Sequence, residues 1–93
     1  FTAHCVAKAG LVMLTKALAQ ELAPEITVNA IAPGPVLMPD GSSEAAIERS
    51  RRKTVLGRLG SPDDVAGALA YLIGAAYVTG HTLVVDGGRL VRP

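Results

Sequence analysis

His4 and Lys8 stand four residues apart at the head of an Ala- and Leu-rich stretch. On a helix that spacing puts both side chains on one face. An imidazole exchanges a proton near neutral pH, so beside a fixed ammonium it has the makings of an acid–base pair. Spacing of this kind also arises by chance, and a surface pair with no chemistry stays open. Cys5 beside Lys8 offers a thiol, but no partner set accompanies it, and the expectation is a buried or half-buried cysteine. His4, Cys5, His81 and Asp86 are metal-ligand types, yet no pair has a convincing ligand spacing, so no metal site is expected. Arg49, Arg51, Arg52 and Lys53 form a charge run that reads either as a solvated helix end or as a basic site for a phosphate or acidic partner. Tyr71 and Tyr77 are expected to pack rather than to react. No Ser-His-Asp arrangement can be argued.

The elements that must position these residues follow from pattern and punctuation. Residues 2–23 read as one helix, with Leu11, Leu14, Leu18 and Leu22 on a single stripe and Pro24 as its stop. Residues 26–31 read as a short strand, with the weak alternation of a parallel strand buried on both faces. Ala32-Pro33-Gly34-Pro35 breaks it and opens a stiff loop. Ser42 or Ser43 can cap a polar helix to about Lys53. Ser61-Pro62-Asp63-Asp64 starts another, by a capping box with proline in the first turn. That helix should turn Val65, Leu69, Leu72 and Ile73 inward and stop near Gly74. Residues 81–86 read as a second strand, ended by Gly87-Gly88. A strand, two helices and a strand form a crossover unit, which predicts a parallel pair.

Composition sets the bounds. Ninety-three residues make one small domain, residues 1–93, and a chain of this size buries roughly 60–65% of its unfolded surface. Apolar residues make up 49% of the chain and aromatic residues 3%, so the core is built from Ala, Val, Leu and Ile. This excess of apolar surface predicts faces that belong against another subunit or a missing segment. A net charge of +1 points to neither nucleic acid nor an anionic membrane. The longest apolar run, from Gly67 to Val78, is well short of the roughly twenty residues a spanning helix needs. A single cysteine fits a reducing, cytoplasmic setting.

Several segments, in order, carry a resemblance. They are His4-Cys5-Val6-Ala7-Lys8-Ala9 with Leu14-Thr15 and Leu18-Ala19-Gln20-Glu21-Leu22-Ala23, then Val28-Asn29-Ala30-Ile31-Ala32-Pro33-Gly34, then Leu59-Gly60-Ser61-Pro62-Asp63-Asp64-Val65-Ala66, then Val78-Thr79-Gly80 with Val85-Asp86-Gly87-Gly88. In this register the chain resembles the C-terminal part of a short-chain dehydrogenase/reductase, with the Pro-rich loop and Leu56-Gly57-Arg58-Leu59-Gly60 nearest the pteridine-reductase-like branch. The resemblance implies an α/β fold: a long helix followed by a β-α-α-β parallel crossover unit, cut from a Rossmann-like doubly wound sheet. It also implies that the N-terminal, dinucleotide-binding half is lacking. Gly87-Gly88 follows a strand, but no helix is expected after it, so it does not supply the Gly-rich phosphate turn of that half.

The family reduces carbonyls or imines, or oxidises alcohols, with NAD or NADP. Lys8 matches the lysine that bonds the nicotinamide ribose and lowers the pKa of a tyrosine four residues before it. His4 occupies that tyrosine's position. Catalytic roles therefore fall by resemblance on His4 and Lys8. Cofactor contacts fall on Lys8, Pro33, Gly34 and Val36, with the Val36 backbone at the carboxamide. A threonine that helps hold the diphosphate is replaced by Met38. The expected function is that of an NADP- or NAD-dependent oxidoreductase on a small-molecule substrate, impaired in the isolated chain. The alternatives are a non-catalytic remnant that self-associates as a homo-oligomer, and a novel small catalyst using His4 in an oligomer pocket.

Overall fold

The chain is described over residues 1–93 by a computed structural model. It opens with a long helix, α1, Thr2–Leu22. Its residues are mostly Ala, Leu and other good helix formers, with no internal proline. Ala23 turns extended ahead of Pro24, as the residue before a proline is driven to do, and the helix ends there. The leucine stripe is not what seats it. Leu11 and Leu14 are about half exposed, whereas Thr15 and Ala19 are buried. The Thr15 hydroxyl donates back to the Leu11 carbonyl at 2.8 Å, which removes its demand for another partner. Ala19 lies against Gly80, where an added Cβ would stand 3.5 Å from the Ala19 Cβ. Small side chains let the helix approach the turn closely; Leu11 and Leu14 face outward.

Two short strands form the sheet: β1, Ala30–Pro33, and β2, Thr82–Val85. They pair in parallel, with Ala30 opposite Thr82 and Pro33 opposite Val85. The ladder begins later than residue 26 and continues through Pro33. Residues 28 and 29 instead bond to the turn before β2. Val28 N–H donates to the Thr79 hydroxyl at 3.0 Å, and Gly80 N–H donates to the Val28 carbonyl. The Asn29 amide reaches both ways, donating to the Val78 carbonyl at 3.0 Å and accepting from the His81 N–H at 3.1 Å. Pro33 is tolerated because alternate residues face β2. Ala30 donates to the His81 carbonyl just before β2 and Gly34 to the Val85 carbonyl, each at 2.9 Å, so residue 33 turns its nitrogen to the open edge. The strands are half-buried rather than buried on both faces, since helices cover only part of a two-stranded sheet.

Two helices lie between the strands. The first, α2, Glu44–Arg52, is capped by the Ser43 hydroxyl, which accepts from the Ala46 N–H at 3.1 Å. The second, α3, Pro62–Gly74, has the predicted capping box: Ser61 N–H donates to the Asp64 carboxylate at 2.8 Å. Helix α3 packs on both strands through Leu72, which is buried, and Val65, half-buried. Leu69 and Ile73 do not turn inward as expected; Ile73 is 78% exposed. They line an open groove with Thr27, Asn29 and Ile31 along the free edge of β1, because nothing pairs with that edge. Contrary to expectation, a single 3₁₀ turn, Arg89–Val91, follows Gly87-Gly88. It is too short to act as a phosphate-binding helix start. No helix is long and apolar enough to cross a membrane.

Candidate active site

Both strands run in the same direction and end side by side, so their carboxyl ends open a common cleft of about 170 Å³. From β1 come Gly34, Pro35 and Val36; from β2 come Val85, Asp86 and Gly87; the loop before α3 adds Leu56, Arg58 and Gly60. The two chain exits touch. A Cβ on Gly34 would stand 2.7 Å from the Asp86 Cα and Cβ and 3.2 Å from its carbonyl oxygen. Only glycine leaves room for the second strand here.

The loop over the cleft is tied down at each end. Gly60 N–H donates to the Pro35 carbonyl at 2.9 Å, and Leu56 N–H donates to the Gly87 carbonyl at 3.0 Å. Thr54, just ahead of this loop, is buried, its hydroxyl 2.9 Å from the Arg51 carbonyl and 3.1 Å from the Arg58 carbonyl while accepting from Gly57 N–H. Arg58 forks onto Asp64, with contacts of 3.1 and 3.4 Å. Hydrogen bonds from Arg58, then from the Ser61 backbone, hold the Asp64 carboxyl below its usual range, and the same pair raises Arg58. The Asp86 carboxylate accepts from Gly88 N–H at 2.9 Å and Leu90 N–H at 3.0 Å, which fixes the turn after β2.

These carboxylates are committed to structural hydrogen bonds within the chain. The cleft's uncommitted polar groups are on the backbone: neither the N–H nor the carbonyl of Val36 has a backbone partner in the chain. A free donor beside a free acceptor suits a primary amide.

A depressed Asp64 pKa means the folded chain binds its proton more weakly than the unfolded chain. The pair therefore stabilises the fold above the ordinary aspartate pKa of 3.8, and that contribution is lost as pH falls through the lower folded value. In melts at low salt, acidification below about pH 4 should lower the melting temperature, less steeply in Asp64→Asn. Added salt should shrink the difference, because the pair is largely exposed.

Of the residues singled out by sequence, Gly34 and Val36 line this cleft. Pro33 lies just outside, on a shallower groove with Gly34, Pro35, Ser50, Lys53 and Arg89. His4 and Lys8 share the exposed N-terminal part of α1, and neither lines the cleft. His4 lies about three helical turns and Lys8 about two before Thr15, the first point where α1 is buried. Cys5 is exposed, not buried or half-buried, because this part of α1 has no neighbour to cover it. Tyr71 and Tyr77 likewise project outward instead of packing. Sequence reasoning missed Arg58, Asp64 and Asp86 as cleft residues. The signal available was the pair Gly57 and Gly60 flanking Arg58-Leu59, which marks a tight loop around the arginine.

A family model described as enoyl-(acyl carrier protein) reductase matches residues 1–89. A 3-oxoacyl-[acyl-carrier-protein] reductase of Rickettsia felis is 45% identical over 93 residues, covering 95% of this chain and 39% of the relative. Among solved structures, 4-hydroxyisoleucine dehydrogenase complexed with NADH superposes with a TM-score of 0.90 at 30% identity, over 99% of this chain and 41% of that one. A small-chain dehydrogenase in complex with NADPH gives a TM-score of 0.81 at 37% identity, over 90% of this chain and 41% of that one. The chain thus spans about two fifths of the length of the curated relatives it matches. The parallel β-α-α-β unit behind a long helix, the Gly34 contact at the strand ends and these matches lead to one assignment: the chain belongs to the short-chain dehydrogenase/reductase family.

Proposed function

We propose that this chain supplies the nicotinamide end of an NAD(P)-dependent oxidoreductase site that reduces a carbonyl or an imine. The observation that carries the reading is the cleft at the carboxyl ends of the parallel strands, where open α/β sheets bind ligands. Gly34 has no side chain to fill it, and the Val36 N–H and carbonyl are free to pair with a carboxamide. The cofactor, when bound, supplies or accepts a hydride. The chain's own residues do the rest. Lys8 donates to the ribose hydroxyls and holds positive charge beside the reacting group. His4 hands a proton to the oxygen or nitrogen of the group whose carbon takes the hydride. Pro33 and Gly34 set the direction in which the Val36 backbone faces.

A second reading, self-association without catalysis, is favoured by the apolar surface. Only Thr15, Ala19, Thr54 and Leu72 are buried, while Val6, Leu11, Met13, Leu14, Leu69 and Ile73 stand open to solvent. A homo-oligomer would cover these faces and pair the free edge of β1.

One experiment separates the readings: fluorescence titration of the chain with NADPH and NADH, with sizing and melting followed over a range of protein concentrations. The catalytic reading expects saturable binding, weakened in Lys8→Ala. No saturation up to millimolar cofactor, with a melting temperature that climbs with protein concentration, would overturn it and leave assembly as the chain's property.

A further inference from the structure

Four of the nine cationic side chains gather in one place. Arg52 and Lys53, at the C-terminal end of α2, meet Arg89 and Arg92 around a groove of about 410 Å³, completed by Leu90 and Pro93. No acidic side chain lines it, although the chain as a whole carries a net charge of only +1. Arg52 shares the Glu48 carboxylate with Arg51. Lys53, Arg89 and Arg92 have no carboxylate within ion-pair distance.

Compensation of the α2 dipole accounts for cations at the end of α2. It does not account for Arg89 and Arg92, which arrive from the far end of the chain. Fixed turns bring them in. The Gly87–Gly88 turn is pressed against residues 54 and 55: a Cβ on Gly88 would lie 2.8 Å from the Val55 Cβ, and one on Gly87 3.3 Å from the Thr54 Cβ. The Asp86 carboxylate then holds the start of the 3₁₀ turn through Gly88 and Leu90. Like charges held together on two anchored backbones repel one another, and a bound anion relieves that repulsion.

The groove is also joined to the cleft. Lys53 and Arg89 line the shallow groove that runs along Pro33, Gly34 and Pro35, and Gly34 and Pro35 in turn line the cleft itself. We propose that Lys53, Arg89 and Arg92 form an anion subsite for a phosphate or diphosphate group on the substrate, whose carbonyl or imine end lies at the cleft. This deepens the proposed function and rests on it for the identity of the neighbouring cleft; the anion subsite itself does not depend on the cofactor.

The probe is inorganic pyrophosphate, titrated calorimetrically into the 93-residue chain at fixed ionic strength, with sulfate and NADH in parallel runs. Saturable pyrophosphate binding is expected, weakened by about tenfold or more in the Lys53→Gln/Arg89→Gln double variant through loss of charge-assisted hydrogen bonds. Lys16→Gln, on a different surface, should bind as the parent does. These side chains are exposed, so the variants should melt with the parent chain. Absence of pyrophosphate binding, or equal binding by parent and double variant, overturns the proposal, and so does sulfate binding of the same strength, which would mark general cation–anion screening. Pyrophosphate binding without NADH binding would keep the subsite and remove the nicotinamide reading. NADH binding without pyrophosphate binding would do the reverse.

Discussion

Gly34→Ala should destabilise the chain by about 1–3 kcal/mol, the range for forcing an extra carbon into a packed contact. The new methyl would meet the Cα and Cβ of Asp86 at 2.7 Å. One of the atoms in the way belongs to the backbone, so no rotamer change relieves the overlap. The strand ends must part, and the bond from Gly34 N–H to the Val85 carbonyl, 2.9 Å, would lengthen. If the cleft holds the cofactor as proposed, affinity should fall together with stability, because the same contact forms the wall of the cleft. Urea unfolding and NADPH titration of the same preparation test this. A variant with unchanged midpoint and unchanged affinity would mean that the strand ends yield freely and that the glycine is not required. Gly67→Ala is the control: an added Cβ there meets nothing within 4 Å, and alanine should be neutral or slightly stabilising in α3.

His4→Tyr carries the other large expectation. A phenol at this position restores the family's tyrosine four residues before Lys8, and a correctly placed proton donor is worth about 10²–10⁴ in rate. Imidazole is shorter than phenol and delivers its proton from a different point, so the parent chain should turn over slowly even with cofactor bound. Oxidation of NADPH with a panel of small aldehydes, ketones and cyclic imines would measure the gain, and the added Lys8→Ala change should abolish it. A His4→Tyr chain that binds cofactor and gains no rate would show that the deficit lies elsewhere than at residue 4. Both side chains are exposed on the outer part of α1, so the exchange should alter stability little.

What the sequence revealed and what it hid divide along physical lines. The starts of α2 and α3 were legible because a cap is chemistry within four residues: Ser43 to Ala46, Ser61 to Asp64. The end of α1 was legible for the same reason, through Pro24. The ladder bounds of β1 were not, because Val28 and Asn29 are claimed by Thr79, Val78 and His81, roughly fifty residues away. Inward and outward faces misled as well. Periodicity groups Leu69, Leu72 and Ile73, but which of them is buried depends on the width of the sheet beneath, and two strands cover only Leu72. In the cleft, Gly34 and Val36 were reached only through the family resemblance of the strand and its Pro-Gly turn, while the Arg58–Asp64 pair needed the closed loop over residues 54–60 to exist first.

The parallel pairing of Ala30 with Thr82 also sets the order in which the molecule is assembled. Every ladder bond closes a loop of roughly fifty residues, so its entropic cost comes before any reward from pairing. The three α-helices close their turns locally and can form in advance. The meeting of Gly34 with Asp86 is therefore expected late in folding, and the formation of the cleft with it.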